Sequence, residues 1–215
     1  MSGYMKMTKL DFVTMKSQYW AYLSLLLIIA LFWTMGSSVT LLCYTASWFI
    51  ALFSQVVFSL QEKNKLDYLY GSVCINVKDI VLGRYIFTFL NFIVSLIAVL
   101  MLYFVTALFQ NEGWQITDIA VGVSLSFLVV SIITGVQMPM YFKMGYTKAR
   151  IWAMVPFMTV MFLMALFKPL THLLSGTITF MQSHQGVLII DGIVVGVIIQ
   201  FISYRVSVAA YRRRR

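Results

Sequence analysis

The residues able to do chemistry are few and scattered along this chain. His172 and His184, with Asp191 beyond them, offer two imidazoles and a carboxylate. Their spacing matches no familiar metal-binding pattern, so they read as polar loop residues and no metal is expected. Cys43 falls in an expected helix and Cys74 in an expected cytoplasmic loop. They should lie near opposite membrane faces, too far apart for a disulfide, and two thiols so spaced make no metal site. No Gly-rich loop ending in Gly-Lys-Ser/Thr occurs, so the chain should not bind and hydrolyse ATP alone. HExxH, paired-Asp and Ser/His constellations at a common depth are also missing. The expectation is a protein that is not an enzyme by itself and holds no cofactor.

The surroundings of these residues say what the chain is built for. Hydrophobic residues make up 61% of its 215 positions and charged residues 11%, with a mean hydropathy of +0.88. A soluble domain keeps roughly a quarter of its residues charged, because water must wet its surface. Lipid has to cover this one. The net charge of +9 does not mark a nucleic-acid binder, since the basic residues sit between apolar segments and at the ends, with no contiguous face to track phosphates. The five Trp, 12 Tyr and 17 Phe suit the boundary between hydrocarbon and headgroups.

A helix crossing the hydrocarbon needs about 20 apolar residues at roughly 1.5 Å each. About six stretches qualify, near 19–35, 39–60, 85–109, 119–138, 151–167 and 187–204. The first follows Lys6, Lys9, Asp11 and Lys16 and lacks a small-residue cleavage site, so it reads as a retained helix. The expected architecture is all-α integral membrane, one domain over 1–215 with six transmembrane helices. Placing the N-terminus inside puts 15 of the 16 basic residues on one side, leaving Lys168 outside. An odd number of helices would destroy that asymmetry, so both termini are expected in the cytoplasm.

Between the spans, 1–18 reads as an N-terminal amphipathic interfacial segment, Leu10, Phe12 and Val13 toward lipid and Lys9 and Lys16 toward anionic headgroups. The outer loop 168–186 is semi-apolar around Gly176, which suits a short re-entrant or interfacial helix between spans five and six. Deep charge, the mark of an ion path, is nearly lacking; Asp191 near the outer end of the last span is the candidate. Polar residues inside the spans are Gln55, Asn91, Ser95, Ser124, Ser126, Ser131 and Thr134, expected to hydrogen-bond between helices. Gly192-x-x-x-Gly196 and Ser131-x-x-x-Gly135 are small-residue faces that allow close packing.

The inner loop 61–79 carries the most informative pattern. Leu66, Leu69 and Tyr70 stand at i, i+3, i+4, flanked by charge and closed by Gly71. That spacing makes a short helix with one apolar face, suited either to a groove on another protein or to resting on headgroups. The run Leu69-Tyr70-Gly71-Ser72, followed by Val77-Lys78-Asp79-Ile80-Val81-Leu82-Gly83-Arg84-Tyr85, resembles the loop between spans two and three of small type-2 ABC transporter permeases. In place of that family's Leu-Pro before the basic pair stands Val73-Cys74. A second match, Pro139-Met140-Tyr141-Phe142-Lys143-Met144-Gly145-Tyr146-Thr147-Lys148-Ala149-Arg150, resembles the family's segment after span four. Within that family the chain resembles permeases of phenol-soluble modulin exporters and of lantibiotic self-protection transporters.

The resemblance implies a mechanism that the residues alone do not show. Two copies, or this chain and a paralogue, would pair with two ATPase subunits that bind ATP and Mg. The segment Leu66 to Ser72 would be a cytoplasmic coupling helix seated on the ATPase, with Leu66, Asp67, Leu69, Tyr70, Ser72, Tyr141 and Lys143 as contacts. The cargo would be amphipathic, a membrane-active peptide or a lipid-like molecule, moved out of a bacterial plasma membrane. Other partners would be the surrounding lipids. A self-contained ion-coupled carrier or channel is the alternative, disfavoured by the scarcity of deep charge, and a lipid-modifying membrane enzyme lacks a catalytic constellation.

Overall fold

The computed structural model describes residues 3–15, 19–34, 38–66, 76–110, 116–170 and 185–214. Among these, no strand occurs. The helices are α1 (Gly3–Met15), α2 (Tyr19–Thr34), α3 (Val39–Lys63), α4 (Val77–Gln110), α5 (Ile116–Met144), α6 (Tyr146–Ala149), α7 (Val155–Leu170) and α8 (Gln185–Arg214). A single 3-10 turn, Trp152–Met154, leads into α7.

Four helices, α3, α4, α5 and α8, are long and apolar enough to cross a membrane. Large apolar side chains such as Val94, Ile97 and Met101 on α4 and Ile190, Ile198 and Ile202 on α8 are exposed. Water would not tolerate so continuous an apolar belt, and lipid requires one. The chain is a multi-pass membrane protein. The helices α2 and α7 have 16 residues each, about 24 Å of rise against the roughly 30 Å of hydrocarbon.

Three of the long helices outrun their apolar stretches: α4 begins eight residues earlier than its hydropathy suggests, at Val77, and α5 and α8 continue to Met144 and Arg214. Hydropathy marks the apolar stretch, whereas the backbone hydrogen-bond ladder continues through the charged residues Lys78, Arg84, Lys143 and Arg205.

The bundle is centred on α5, which packs against α8 and α3. Its contact with α8 joins the two small-residue faces read from the sequence. A Cβ added at Gly196 would meet the Phe127 ring at 2.7 Å and Ser131 Oγ at 3.2 Å; one at Gly135 would meet Ile199 at 2.7 Å. Gly192 lies against Ser124, whose hydroxyl donates to the Ile189 carbonyl at 2.8 Å. At one end of the bundle Ile29, Val39, Leu42, Cys43 and Val99 share a cluster. At the other, Met7, Phe58, Ile80, Val81, Tyr141, Phe142 and Tyr211 form a second. The basic residues of α1, α4, α6 and the end of α8 gather around this second cluster, which is called the basic end below.

Candidate functional site

The two segments singled out in the sequence meet at the basic end, and each of their small or polar residues has a distinct task. Gly83 lets α1 approach α4: a Cβ there would come within 2.7 Å of the Met7 side chain and 3.1 Å of the Tyr4 carbonyl. The Thr8 hydroxyl, on the same face of α1, donates to the Gly83 carbonyl at 3.2 Å. Arg84 is buried at 1% exposure and joins three elements. Its Nε lies 3.1 Å from Asp11 Oδ2 on α1, its Nη2 donates to Gln61 Oε1 of α3 at 2.8 Å, and its guanidinium carbon sits 5.0 Å from the Phe58 ring centroid. Burial holds the Asp11 carboxyl up at about 6, and the neighbouring Arg84 charge only partly offsets that.

Tyr85 extends the network to α8. Its hydroxyl is 2.6 Å from Ser203 Oγ and 2.9 Å from Ser207 Oγ, and Ser203 donates to the Gly135 carbonyl at 2.8 Å. The reason lies four residues on. Pro139 sits inside α5 with no N–H, so the carbonyl of Gly135 loses its helical partner. In lipid such an orphan is expensive, and Ser203 supplies the missing donor.

The second segment closes the frame on the opposite side. Gly145 adopts φ +78°, a left-handed turn that glycine favours, and it separates α5 from α6. The turn presents Thr147 to Glu62 at the end of α3: the Thr147 amide donates to Glu62 Oε2 at 3.0 Å, and its hydroxyl bonds Glu62 Oε1. Arg214 Nη1 donates to the Tyr141 carbonyl at 3.4 Å and brings the end of α8 against the same turn. Gln61 and Glu62 begin the loop 61–79, and Arg84 stands just past its end. Both ends of that loop are therefore fastened to rigid helices.

The residues expected to contact a partner divide among three situations. Asp67, Leu69, Tyr70 and Ser72 lie outside the described residues. Leu66 is half-buried at the edge of the basic-end cluster. Tyr141 is wholly buried, its ring stacked on Phe58 at 4.9 Å, where it packs the frame together instead of facing a partner. Lys143 is exposed two residues before the Gly145 bend. The polar span residues also divide. Ser124 and Thr134 bond across helices, Thr134 accepting from Gln200 at 2.8 Å. Asn91, Ser95 and Ser126 instead donate to carbonyls of their own helices.

A family model described as ABC-2 family transporter protein matches residues 6–212. The chain belongs to the ABC-2 transporter family. No curated protein and no solved structure matches it. The ABC-2 assignment makes it a membrane subunit of the permease type rather than a catalytic chain, and that family implies partnership with an ABC ATPase. Among the described residues no three His, Cys, Asp or Glu side chains gather as a metal site. Asp191 is exposed on α8, and His172, His184 and Cys74 lie outside the described residues.

A second feature lies above the frame. A cleft of about 500 Å³ opens between α4, α5 and α8 of this ABC-2 chain, lined by Leu82, Phe89, Phe92, Phe127, Met138 and Phe201 among others. Its wall polar groups are turned on one another: Gln200 bonds Thr134, and Tyr85 bonds Ser203 and Ser207. The sequence alone names no residues for it. Phe89 and Phe201 had no signal to separate them from other lipid-facing aromatics.

Proposed function

We propose that this chain is the membrane subunit of an ABC exporter for an amphipathic, membrane-active cargo such as a peptide, driven by separate ATPase subunits. Two permease copies, or this chain with a paralogue, would pair with two ATPases in a bacterial plasma membrane. In this reading six helices cross the bilayer, the termini are cytoplasmic, and the basic end faces the cytoplasm. The segment Leu66 to Ser72 seats on the ATPase, and Lys143 is a further contact. The observation that carries the proposal is the frame around loop 61–79. A loop that transmits force needs stiff attachments, and this one leaves α3 at Gln61 and Glu62, both fastened, and enters α4 just before Arg84. ATP-driven movement of the loop would then displace α3, α4 and α1 together.

The charge pattern weighs against an ion-coupled carrier. Among the described residues the buried charged side chains are Asp11 and Arg84, which neutralise each other at the basic end.

The test is co-purification in nanodiscs with candidate ABC ATPases encoded in the same genome, followed by ATP turnover. The proposal expects a stable complex whose assembly is lost in the Leu69→Asp, Tyr70→Asp double variant while membrane insertion is retained. Full assembly and transport by that variant would contradict it.

A further inference from the structure

The cleft between α4, α5 and α8 has the shape and chemistry of a hydrocarbon site, and its two flanking cations select the kind of molecule that fills it. Its volume of about 500 Å³ is that of a small-molecule pocket. The wall is almost wholly apolar, and the hydroxyls and amide that line it already have partners: Tyr85 in Ser203 and Ser207, Thr134 and Gln200 in each other, and Thr88 in the Arg84 carbonyl. It therefore has no free directional group to offer a polar ligand, while a flexible chain would gain contact with the rings of Phe92 and Phe127. The mouth opens on the outside of the bundle: Phe89, Val197 and Phe201 line the cleft and are 51%, 54% and 62% exposed. What enters comes sideways, from lipid.

Two exposed cations lie toward the basic end on the helices that bound the mouth. Lys78 precedes Leu82 by one turn on the same face of α4, and Arg205 follows Phe201 by one turn on α8. Neither belongs to the Asp11–Arg84–Gln61 node or to the Glu62–Thr147 contact. We propose that this cleft binds one acyl chain of an anionic membrane phospholipid, with its phosphate held between Lys78 and Arg205. The site shares α4 and Tyr85 with the coupling frame, so it would tie the packing of α4 against α8 to the lipid composition of the basic-end leaflet.

The experiment is native mass spectrometry of the full chain, delipidated in detergent and titrated with phosphatidylglycerol or with phosphatidylcholine of identical chains. One tightly held phosphatidylglycerol per chain is expected, with phosphatidylcholine markedly weaker. Basic residues near a membrane surface contribute about 1 kcal/mol each. Lys78→Gln with Arg205→Gln should therefore weaken phosphatidylglycerol binding about thirtyfold and leave phosphatidylcholine unchanged. Val197→Trp, placed at the exposed mouth where folding tolerates bulk, should abolish tight binding of both. Helical circular dichroism and the elution volume serve as the check that each variant is folded. Equal binding of the two lipids, or an unaltered lipid count in folded Val197→Trp, would overturn the proposal. So would a cleft that takes an amphipathic peptide in preference to any lipid.

Discussion

The basic end and the cleft are built from the same helices, yet they solve opposite problems. At the basic end, polar groups on distant segments are matched one to one. Arg84 meets Asp11 and Gln61, Glu62 meets Thr147, and Ser203 meets the carbonyl that Pro139 leaves free. Beginning at Leu82, Met138 and Tyr204 and running on along α4, α5 and α8, the cleft keeps its polar groups paired internally and offers aromatic surface. Directional bonds hold one geometry and carry displacement from helix to helix. An apolar cleft has no preferred register and accepts flexible molecules. The comparison teaches that stiffness and adaptability can be separated along single helices by where their polar residues stop.

Breaking the frame should have the largest effect. Arg84→Met leaves Asp11 buried without its counter-charge, and removing one partner of such a pair costs roughly 3–5 kcal/mol. The purified variant should melt earlier and lose α1 docking, read by hydrogen exchange over residues 3–15. The double variant Arg84→Met, Asp11→Leu should recover most of that loss, because a matched apolar pair needs no compensation. Equal damage in single and double variants would show that Arg84 acts without Asp11.

The next effect sharpens the boundary between the two regions. Gly196→Val places carbon against Phe127, a cleft wall, at a contact already at 2.7 Å for a Cβ. Overpacking of this kind costs about 1–3 kcal/mol. It should narrow the cleft and reduce lipid retention while hydrogen exchange at α1 stays unchanged. Ser203→Ala should cost a comparable 1–3 kcal/mol, roughly that of an unsatisfied buried carbonyl, and should appear as faster exchange in α5 around Pro139. Glu62→Gln comes next, about 1 kcal/mol or less for an exposed contact, with its effect confined to the α6 turn.

The last effect is a pH slope. Asp11 has its folded value raised from 3.8 to about 6, so the docked α1 holds a proton that the undocked helix releases earlier. Docking is then strongest below pH 4, weakens as pH rises toward 6 and levels off above it. Asp11→Asn should remove the slope. Exchange protection of α1 across pH 4 to 7.5 measures it.

Much of this architecture was legible in the residues. The apolar spans stand out because lipid demands them, and Gly192, Gly196, Ser131 and Gly135 marked the helix faces that do meet. The frame was not legible in the same way. Arg84 reads as a topology charge because its partner Asp11 is distant in sequence, and only the fold brings them to 3.1 Å. Tyr141 sits in a segment whose resemblance suggested a surface contact, while its packing on Phe58 places it inside. Ser203 carries no signal of its own, since its role depends on a carbonyl freed by Pro139 on another helix.

The central claim is that loop 61–79 hands motion from an ATPase to this frame. Its most direct test is cysteine cross-linking in liposomes. The chain carries Tyr70→Cys with Cys43→Ala and Cys74→Ser, and the ABC ATPase that co-purifies with it carries single cysteines scanned over its surface. The account predicts a cross-link confined to one ATPase cleft, with a yield that changes when ATP binds. Active ATP turnover by the complex with no cross-link from position 70 would contradict it.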